Sequence, residues 1–280
     1  MSYNRITLHP ISGSLGAEIH GANLAELDDE TFSEIKQALL EYLVIFFRDQ
    51  DITPDQQIAF GRRFGELHIH PFIPSAPGHE EIIELWAKSG DEDNLRLANA
   101  WHPDLSYTND PPLAAILRAI EVPSRGGDTM WVNLYKAYDT LSDRMKEIIS
   151  EMKAVHDVTK TYRRQDLQSE GGAERYWNTF KKAPPVEQPL VKVHPETGKK
   201  LLYISQLTTT HIVGLHPLES DAMLEMLFKH LDWKELQCRF NWQNNSIAMW
   251  DNRCTVHYAV RDYTEARHMH RVTVLGDVFA

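Results

Sequence analysis

Two histidines and one aspartate have the residue types and spacing of a mononuclear metal site. His102 and Asp104 lie two residues apart in the sequence Trp-His-Pro-Asp, so both side chains point to the same face of an extended backbone. A second histidine, His257, follows a predicted strand much later in the chain. Two histidines and one carboxylate form the facial triad of non-haem iron(II) oxygenases, which leaves coordination positions open. A bidentate 2-oxo acid and O2 can occupy those positions.

Other pairs in the chain have metal-like spacing but lack a complete ligand set. A His-x-Asp pair alone often belongs to a solvated turn. The pair of His194 and Glu196 precedes a Thr-Gly-Lys sequence typical of a hairpin turn, so we interpret it as structural. His68 and His70 have no carboxylate nearby in the sequence, and we expect them to line a pocket. The cysteine before His257 would suit zinc, but the second half of a zinc site is absent.

Two arginines downstream of the second histidine could recognise anions. Arg267 and Arg271 are four residues apart, so in a strand they share one face, while His268 and His270 point to the other. A strand arginine is usually exposed to solvent. Guanidinium groups close to a metal, however, are suited to bidentate contacts with carboxylates or sulfonates. The sequence therefore predicts two anion sites beside the metal.

The charge of the chain favours a small-molecule partner. It has 280 residues, with 29 Lys and Arg against 40 Asp and Glu, which gives a net charge of −11. A negative protein is repelled by a nucleic-acid backbone and by an anionic membrane. We therefore expect neither nucleic acid nor a membrane as a partner.

The cysteine content and the N-terminal sequence predict a cytoplasmic location. The only cysteines are Cys238 and Cys254, too few for a disulfide framework in a chain of this size. The N-terminus lacks the charged and apolar regions of a signal peptide. No apolar run approaches the roughly 18 residues of a membrane span, so we expect a soluble protein.

Hydrophobic periodicity and capping signals predict an α+β fold. Helices are expected at 29–43, at 53–65 with a capping box between Thr53 and Gln56, at 134–152, and at 219–231. About nine strands are expected, at 43–47, 81–86, 113–120, 128–133, 188–194, 200–205, 236–241, 246–251 and 270–278.

The order of these elements favours a double-stranded β-helix (jelly-roll) core with flanking helices, because the strands do not alternate strictly with helices. The mouth of such a core is a natural place for a metal. We expect a single domain over 1–280. The polar segment around 160–185 lacks a sustained period and is predicted to be a long, lid-like surface insertion.

Taken together, the motifs resemble the taurine dioxygenase (TauD/TfdA) family of Fe(II)/2-oxoglutarate-dependent oxygenases. The similarity runs from residue 11 to residue 277 and so covers nearly the whole chain. It is carried jointly by ISGSLGAEI at 11–19, FGELHIHP at 64–71, WHPD at 101–104, GGDTMW at 126–131, and WDNR at 250–253 followed by His257.

The resemblance implies roles for individual residues. The iron ligands would be His102, Asp104 and His257, which are also the catalytic centre. The distal carboxylate of 2-oxoglutarate would meet Arg267 and Thr129. An anionic substrate would be held by two further residues, Arg271 and His70.

Several positions depart from the family pattern. Pro103, where a small hydroxyl residue is common, faces away from the metal in an extended backbone. Ile73, Ala98 and Thr208 stand where the taurine enzyme has its aromatic, asparagine and phenylalanine pocket contacts. The polarity that binds an amine is lost, which argues against taurine itself as the substrate. Trp131 fits either a wall of the iron pocket or the core.

The resulting hypothesis is an iron enzyme that uses 2-oxoglutarate and O2 to hydroxylate a small anion such as a sulfonate, a sulfate ester or a related acid. One alternative keeps these cofactors but has a larger biosynthetic metabolite as the substrate. Another, from a different class, is a metal-binding jelly roll that acts as a ligand sensor without catalysis. The family commonly forms homo-oligomers, which implies the same for this chain. Tyr107 is expected to pack rather than to bind.

Overall fold

The computed structural model of the protein describes residues 3–71, 73–87, 99–162 and 164–275, without the side chain of Arg164. Ala98 and the last residues of the strand predicted at 270–278 lie outside these ranges. Within them, no helix combines the length and the apolar character needed to cross a membrane.

The described residues form sixteen strands rather than about nine. The strands are β1 (Thr7–Pro10), β2 (Ala17–His20), β3 (Val44–Phe47), β4 (Ser75–Ala76), β5 (His79–Ala87), β6 (Ala114–Glu121), β7 (Thr129–Asn133), β8 (Lys153–His156), β9 (Val186–Pro189), β10 (Val191–Val193), β11 (Lys200–Leu202), β12 (Thr209–Ile212), β13 (Gln237–Phe240), β14 (Ile247–Asp251), β15 (Thr255–Ala259) and β16 (Arg267–Val274).

Seven α-helices accompany the strands: α1 (Asp29–Tyr42), α2 (Pro54–Arg62), α3 (Leu134–Asp139), α4 (Asp143–Ile149), α5 (Arg164–Gln168), α6 (Gly172–Lys182) and α7 (Pro217–His230). The capping box predicted between Thr53 and Gln56 is present at the start of α2. A second capping box, between His216 and Glu219, opens α7.

The strands form one large sheet and one small sheet that face each other. The large sheet has the order β1-β2-β3-β14-β6-β16-β5-β4, and the small sheet has the order β13-β7-β15. Neighbouring strands are antiparallel except β2 and β3. A further sheet, β12-β8-β9, and the hairpin β10-β11 flank them. The predicted α+β class, with antiparallel sheets and flanking helices, is confirmed.

An aromatic layer joins the large sheet to the small one. Phe46 of β3 stacks on Phe240 of β13, with ring centroids 4.1 Å apart, and meets Trp131 of β7 edge to face at 5.4 Å. The neighbouring side chains Ile45 and Phe47 point to the opposite face, where they pack against α1 and α2. Both faces of β3 are therefore buried, which explains why residues 43–47 are apolar without alternation.

Two predicted elements differ from the structure for identifiable reasons. The helix predicted at 134–152 is broken into α3 and α4, because the Ser142 hydroxyl accepts a hydrogen bond from the Met145 N–H and so caps a new helix. The strand predicted at 188–194 is split at Leu190 into β9 and β10, which belong to different sheets. Segment 160–185 contains helices α5 and α6, which the sequence analysis did not predict.

A fully buried histidine between the flanking sheets makes the stability of the fold depend on pH. His156 bonds to the hydroxyls of Thr209 (3.1 Å) and Thr208 (3.4 Å), and its ring stacks on Tyr203. Burial, together with the charges of two nearby lysines, lowers the pKa of His156 to about 3. The folded protein therefore keeps this histidine neutral, whereas the unfolded chain takes up a proton below a pH of about 6.5.

We predict that the free energy of unfolding falls as the pH is lowered from 6.5 towards 3, because only the unfolded state gains this proton. The loss attributable to His156 should be about 2 kcal/mol between pH 6.5 and pH 5. Urea denaturation at several pH values should give a shallower pH dependence for His156→Gln than for the wild type. The exposed His211→Gln is the control and should retain the wild-type slope; an unchanged slope in His156→Gln would contradict the prediction.

Candidate metal centre

The two histidines of the predicted triad are held together by their own backbones. His102 donates its N–H to the carbonyl of His257 (3.2 Å), and His257 donates its N–H to the carbonyl of His102 (2.9 Å). This antiparallel bridge attaches the loop before β6 to β15 in the small sheet. Because directly opposed residues project to the same side, the two imidazole rings lie 4.2 Å apart.

Asp104 is positioned by a buried asparagine. The Asn252 side chain accepts a hydrogen bond from the Asp104 N–H (2.7 Å) and donates to the carbonyls of Asp104 (2.9 Å) and Pro112 (3.3 Å). The next residue, Leu105, has a φ of 52° and turns the chain away. As a result, Asp104 Oδ1 lies 4.0 Å from His257 Nε2.

The structure brings all three predicted ligands together. One potential ligand atom from each of His102, Asp104 and His257 lies within 4.8 Å of the others, and all three residues are buried.

The protonation states suit a divalent metal. Burial lowers the pKa of His257 to about 3, and it also lowers that of His102, so both imidazoles are neutral. Burial opposes ionisation of Asp104, but the positive charge of Arg271 holds the pKa of its carboxyl below the usual value. Neutral imidazoles and an ionised carboxylate are the forms that coordinate metals.

The hydrogen bonds at the centre leave suitable ligand atoms available. His102 Nδ1 lies 2.7 Å from the carbonyl of Ala100, to which it can donate, so its Nε2 keeps a lone pair. Within the described part of the chain, Asp104 Oδ2 is buried without a hydrogen-bond partner. A buried carboxylate oxygen in this state is costly unless something binds it. The donor set therefore fits an iron(II) ion of the facial-triad type.

Arg271 is bonded directly to the metal-site carboxylate. Its Nη1 donates to Asp104 Oδ1 at 2.6 Å, and both side chains are about one-tenth exposed or less. The sequence analysis placed Arg271 near the metal but did not anticipate this ion pair.

Two further side chains lie within the electrostatic range of Arg271. His70 Nδ1 accepts a hydrogen bond from the Ile73 N–H (3.0 Å), which places the ring proton on Nε2. Burial and the charge of Arg271 lower the pKa of His70 to about 4, so it is a neutral donor. Burial and the negative charge of Asp104 raise the pKa of Tyr107 to about 12. Tyr107, expected only to pack, is therefore close to the candidate site.

Arg267 lies beside residues 127 and 128, just before Thr129 at the start of β7. Arg267 is buried, and its Nε has no hydrogen-bond partner among the described residues. Gly127 packs against the Arg267 side chain, where a Cβ atom would lie 3.4 Å from Cδ. The Thr129 hydroxyl also accepts a hydrogen bond from the indole of Trp242 (3.0 Å).

Residues 250–253 are structural. The Asp251 carboxylate accepts hydrogen bonds from Arg253 (2.9 and 2.6 Å) and lies 3.0 Å from His194 Nε2, while Arg253 also reaches Glu196 (2.8 Å). The structural interpretation of His194 and Glu196 is thus confirmed. Burial raises the pKa of the Cys254 thiol well above its usual value.

Two further residues from the sequence analysis, Trp131 and Thr208, have structural roles. Trp131 is fully buried and packs in the core between the sheets. Thr208 bonds to Ser106 (2.7 Å) and to His156, which is a structural role. The role of Asn252 was missed by the sequence analysis, although the residue lies within a quoted motif, because an asparagine that bonds to a remote backbone leaves no pattern in spacing or hydropathy.

Comparison with known proteins identifies the family. A family model described as "Taurine catabolism dioxygenase TauD, TfdA family" matches residues 7–273, and the chain belongs to this family. The chain is 36% identical to an "Alkylsulfatase" of Acinetobacter baylyi over 98% of its own length and 86% of the relative's. It is 35% identical to an "Alpha-ketoglutarate-dependent sulfate ester dioxygenase" of Pseudomonas putida over 98% of its own length and 90% of the relative's.

A solved structure extends these similarities to the fold. The crystal structure of AAD-2 in complex with Mn(II) and N-oxalylglycine superposes with a TM-score of 0.82 at 28% identity, and covers 97% of this chain and 98% of that one. The jelly-roll fold predicted from the sequence is confirmed. So is the enzyme class, a 2-oxoglutarate-dependent non-haem iron dioxygenase that uses Fe(II), 2-oxoglutarate and O2.

We predict that Asn252→Ala destabilises the protein, because it leaves one buried N–H and two buried carbonyls without their partner. Each buried group left unsatisfied costs about 1–3 kcal/mol. The free energy of unfolding, measured by urea denaturation, should fall by several times more than in Asn244→Ala. The control removes an exposed asparagine with one hydrogen bond to the backbone, at Val122. Equal losses in the two variants would show that Asn252 does not hold Asp104.

Proposed function

We propose that this enzyme hydroxylates a small sulfate ester or sulfonate, with His102, Asp104 and His257 as its iron ligands. The observation that carries the proposal is the ion pair between Arg271 and Asp104 inside the candidate triad. It places a buried cation directly beside the atoms that would hold the iron. The substrate class is proposed from this cation and from the chemistry named for the relatives.

The candidate metal ligands would hold the iron, and the rest of the site would orient the two acids. When bound together, Fe(II) and 2-oxoglutarate reduce O2 as the 2-oxo acid is converted to succinate and CO2, and so supply the oxidising power. The protein's own residues orient the two acids and exclude water. The bridge between His102 and His257, and the contacts of Asn252 with Asp104, preset the ligand positions before any metal arrives.

We assign the distal carboxylate of 2-oxoglutarate to Arg267 and Thr129. A buried guanidinium is strongly destabilised unless an anion neutralises it. Arg267 is buried, and its Nε has no hydrogen-bond partner in the described residues. The Thr129 hydroxyl accepts from Trp242, which leaves its own proton available for a carboxylate oxygen.

We assign the anionic group of the substrate to Arg271 and His70. While Asp104 is free, its negative charge neutralises Arg271. Once Asp104 is bound to a dication, that negative charge is shared with the metal, and the buried guanidinium requires a second anion. A sulfate or sulfonate group offers three acceptor oxygens to Arg271 and to the Nε2–H of neutral His70.

A sulfate ester gives this arrangement a clear product. Hydroxylation of the carbon that bears the ester oxygen forms an unstable adduct, which separates into an aldehyde and inorganic sulfate. Support comes from the two relatives whose names specify an alkylsulfatase and a sulfate ester dioxygenase. The apolar side chain of Ile73, three residues from His70, suits an alkyl chain better than an amine.

The proposal extends to the setting of the enzyme. The net charge of −11 supports an enzyme with neither nucleic acid nor a membrane as a partner. From the two cysteines we propose a cytoplasmic location, and we expect the enzyme to form a homo-oligomer. We also propose that segment 160–185 is a lid on a single domain spanning 1–280. Helix α6 in this segment exposes Trp177 and bonds to Tyr162 through the Thr179 hydroxyl (2.9 Å).

We predict that His102→Ala and Asp104→Ala abolish succinate formation in air with Fe(II), ascorbate, 2-oxoglutarate and an alkyl sulfate. Each change removes one of three protein ligands, so the iron should no longer be held in a reactive geometry. His211→Ala, which alters an exposed histidine far along the chain, should keep wild-type turnover. Circular dichroism should show that all three variants are folded; full activity of either triad variant would disprove the ligand assignment.

We predict that substitution of Arg271 and of Arg267 raises the KM for different substrates. Arg271→Ala should raise the KM for the alkyl sulfate by about 10–100-fold, and Arg267→Ala should do the same for 2-oxoglutarate, since each removes a charged hydrogen bond worth about 1.5–3 kcal/mol. Initial rates with each substrate varied in turn measure both constants. Exchanged effects would mean that the two anion sites have been assigned in the wrong order. Release of sulfate from alkyl sulfates, without release of sulfite from alkyl sulfonates, would decide between the two substrate types.

A further inference from the structure

The outer face of the large sheet carries a second group of two histidines and one carboxylate. Glu84 on β5 is directly opposite His270 on β16, and His268 lies two residues away on the same strand. Because alternate residues of a strand share a face, the three side chains converge on one spot. One potential ligand atom from each lies within 4.8 Å of the others. We call this group the β5–β16 cluster.

The distances within the cluster match those of a tetrahedral ion site. Glu84 Oε1 lies 3.2 Å from His268 Nε2 and 3.6 Å from His270 Nε2. Zinc binds imidazole nitrogen and carboxylate oxygen at about 2.0–2.2 Å, so two ligands at a tetrahedral angle are roughly 3.3 Å apart. Both separations in the cluster are close to that value without any movement of the backbone.

One member of the cluster is buried without a hydrogen-bond partner. His270 is 9% exposed, and within the described residues neither of its ring nitrogens makes a hydrogen bond. A buried imidazole in this state is costly, and a metal ion would satisfy the nitrogen that faces Glu84. The second histidine is already oriented, because the His268 ring stacks on Trp86 with centroids 4.9 Å apart and the planes 18° apart.

The nearest cation is directed away from the cluster. Arg118 on β6 is paired with His270 across the strands. Its guanidinium reaches Asn245 (3.0 Å) and Asp51 (3.7 Å), which lie towards β14 and β3 on the far side of β6. The solvent side of the cluster is open through Glu84, whose side chain is 27% exposed, so an ion and a coordinated water could enter from there.

We propose that Glu84, His268 and His270 form a second metal site that takes Zn²⁺ or a similar borderline divalent cation. The site has three protein ligands and a position for water. It ties β5 to β16, the strand that carries both Arg267 and Arg271. Binding therefore stabilises the strand that positions the two anion-recognition groups, without contact with the catalytic centre.

The test is a count of bound zinc after equilibrium dialysis of the metal-free protein against Zn²⁺, followed by mass-spectrometric metal analysis. The wild type should bind two equivalents, and Glu84→Gln, which keeps the side-chain size but removes the charge, should bind one. His20→Ala is the matched control: His20 pairs with Glu18 at 2.9 Å and its ring centroid lies 4.5 Å from that of His9. These three residues are not among the groups of described residues whose ligand atoms converge within 4.8 Å, so this variant should retain two equivalents.

A second variant and a second readout distinguish loss of the metal site from misfolding of the variant. His268→Gln should also bind one equivalent, and in an Asp104→Ala background Zn²⁺ should raise the melting temperature only while Glu84 and His268 are intact. If both Glu84→Gln and His268→Gln keep two equivalents, or if the wild type binds a single zinc that Asp104→Ala removes, the cluster is an ion pair and the proposal is wrong. Retention of two equivalents in Asp104→Ala would instead contradict the iron-site assignment, so the two proposals fail separately.

Discussion

The pair of hydrogen bonds between the backbones of His102 and His257 is the constraint on which the candidate site depends. Without it, the loop that carries His102 and Asp104 would have no fixed relation to the small sheet. The bridge sets the separation of the two imidazoles, and Asn252 then sets the direction of the carboxylate between them. Candidate ligands from two segments that are far apart in the chain thus reach one point through a backbone bridge and the Asn252 side chain.

The neutralisation of buried charge organises the surroundings of this bridge. Asp251 and Arg253 satisfy each other beneath β15, and Arg271 satisfies Asp104 above it. The first pair is also bonded to His194 and Glu196. The second pair shares its carboxylate with the predicted iron ligands, so any dication that arrives changes the charge balance of Arg271. The Asp251–Arg253 pair is therefore structural, whereas the charge balance of the Arg271–Asp104 pair would change when a metal binds.

The sequence predicted those parts of the molecule that depend on local chemistry. The convergence of His102 and Asp104 was predicted because alternation in an extended segment places them on one face, and α2 was predicted through the capping box at Thr53. What the sequence did not predict depends on contacts distant in the chain. The hydroxyl cap at Ser142 ended a helix whose apolar stripe continues, and the four-residue strands β1 and β2 are too short to show a sustained alternation. The Arg271–Asp104 pair joins residues that are far apart in the chain, so no spacing rule could reveal it.

Both cysteines of the chain are buried as protonated thiols. Burial raises the pKa of Cys238 to about 12 and that of Cys254 still more clearly above its ordinary value. Only the thiolate reacts readily with peroxides, so neither sulfur is a ready target for the oxidants that escape when O2 is activated without productive turnover. The packing that closes the core thus also keeps both sulfurs in the form that oxidants attack slowly.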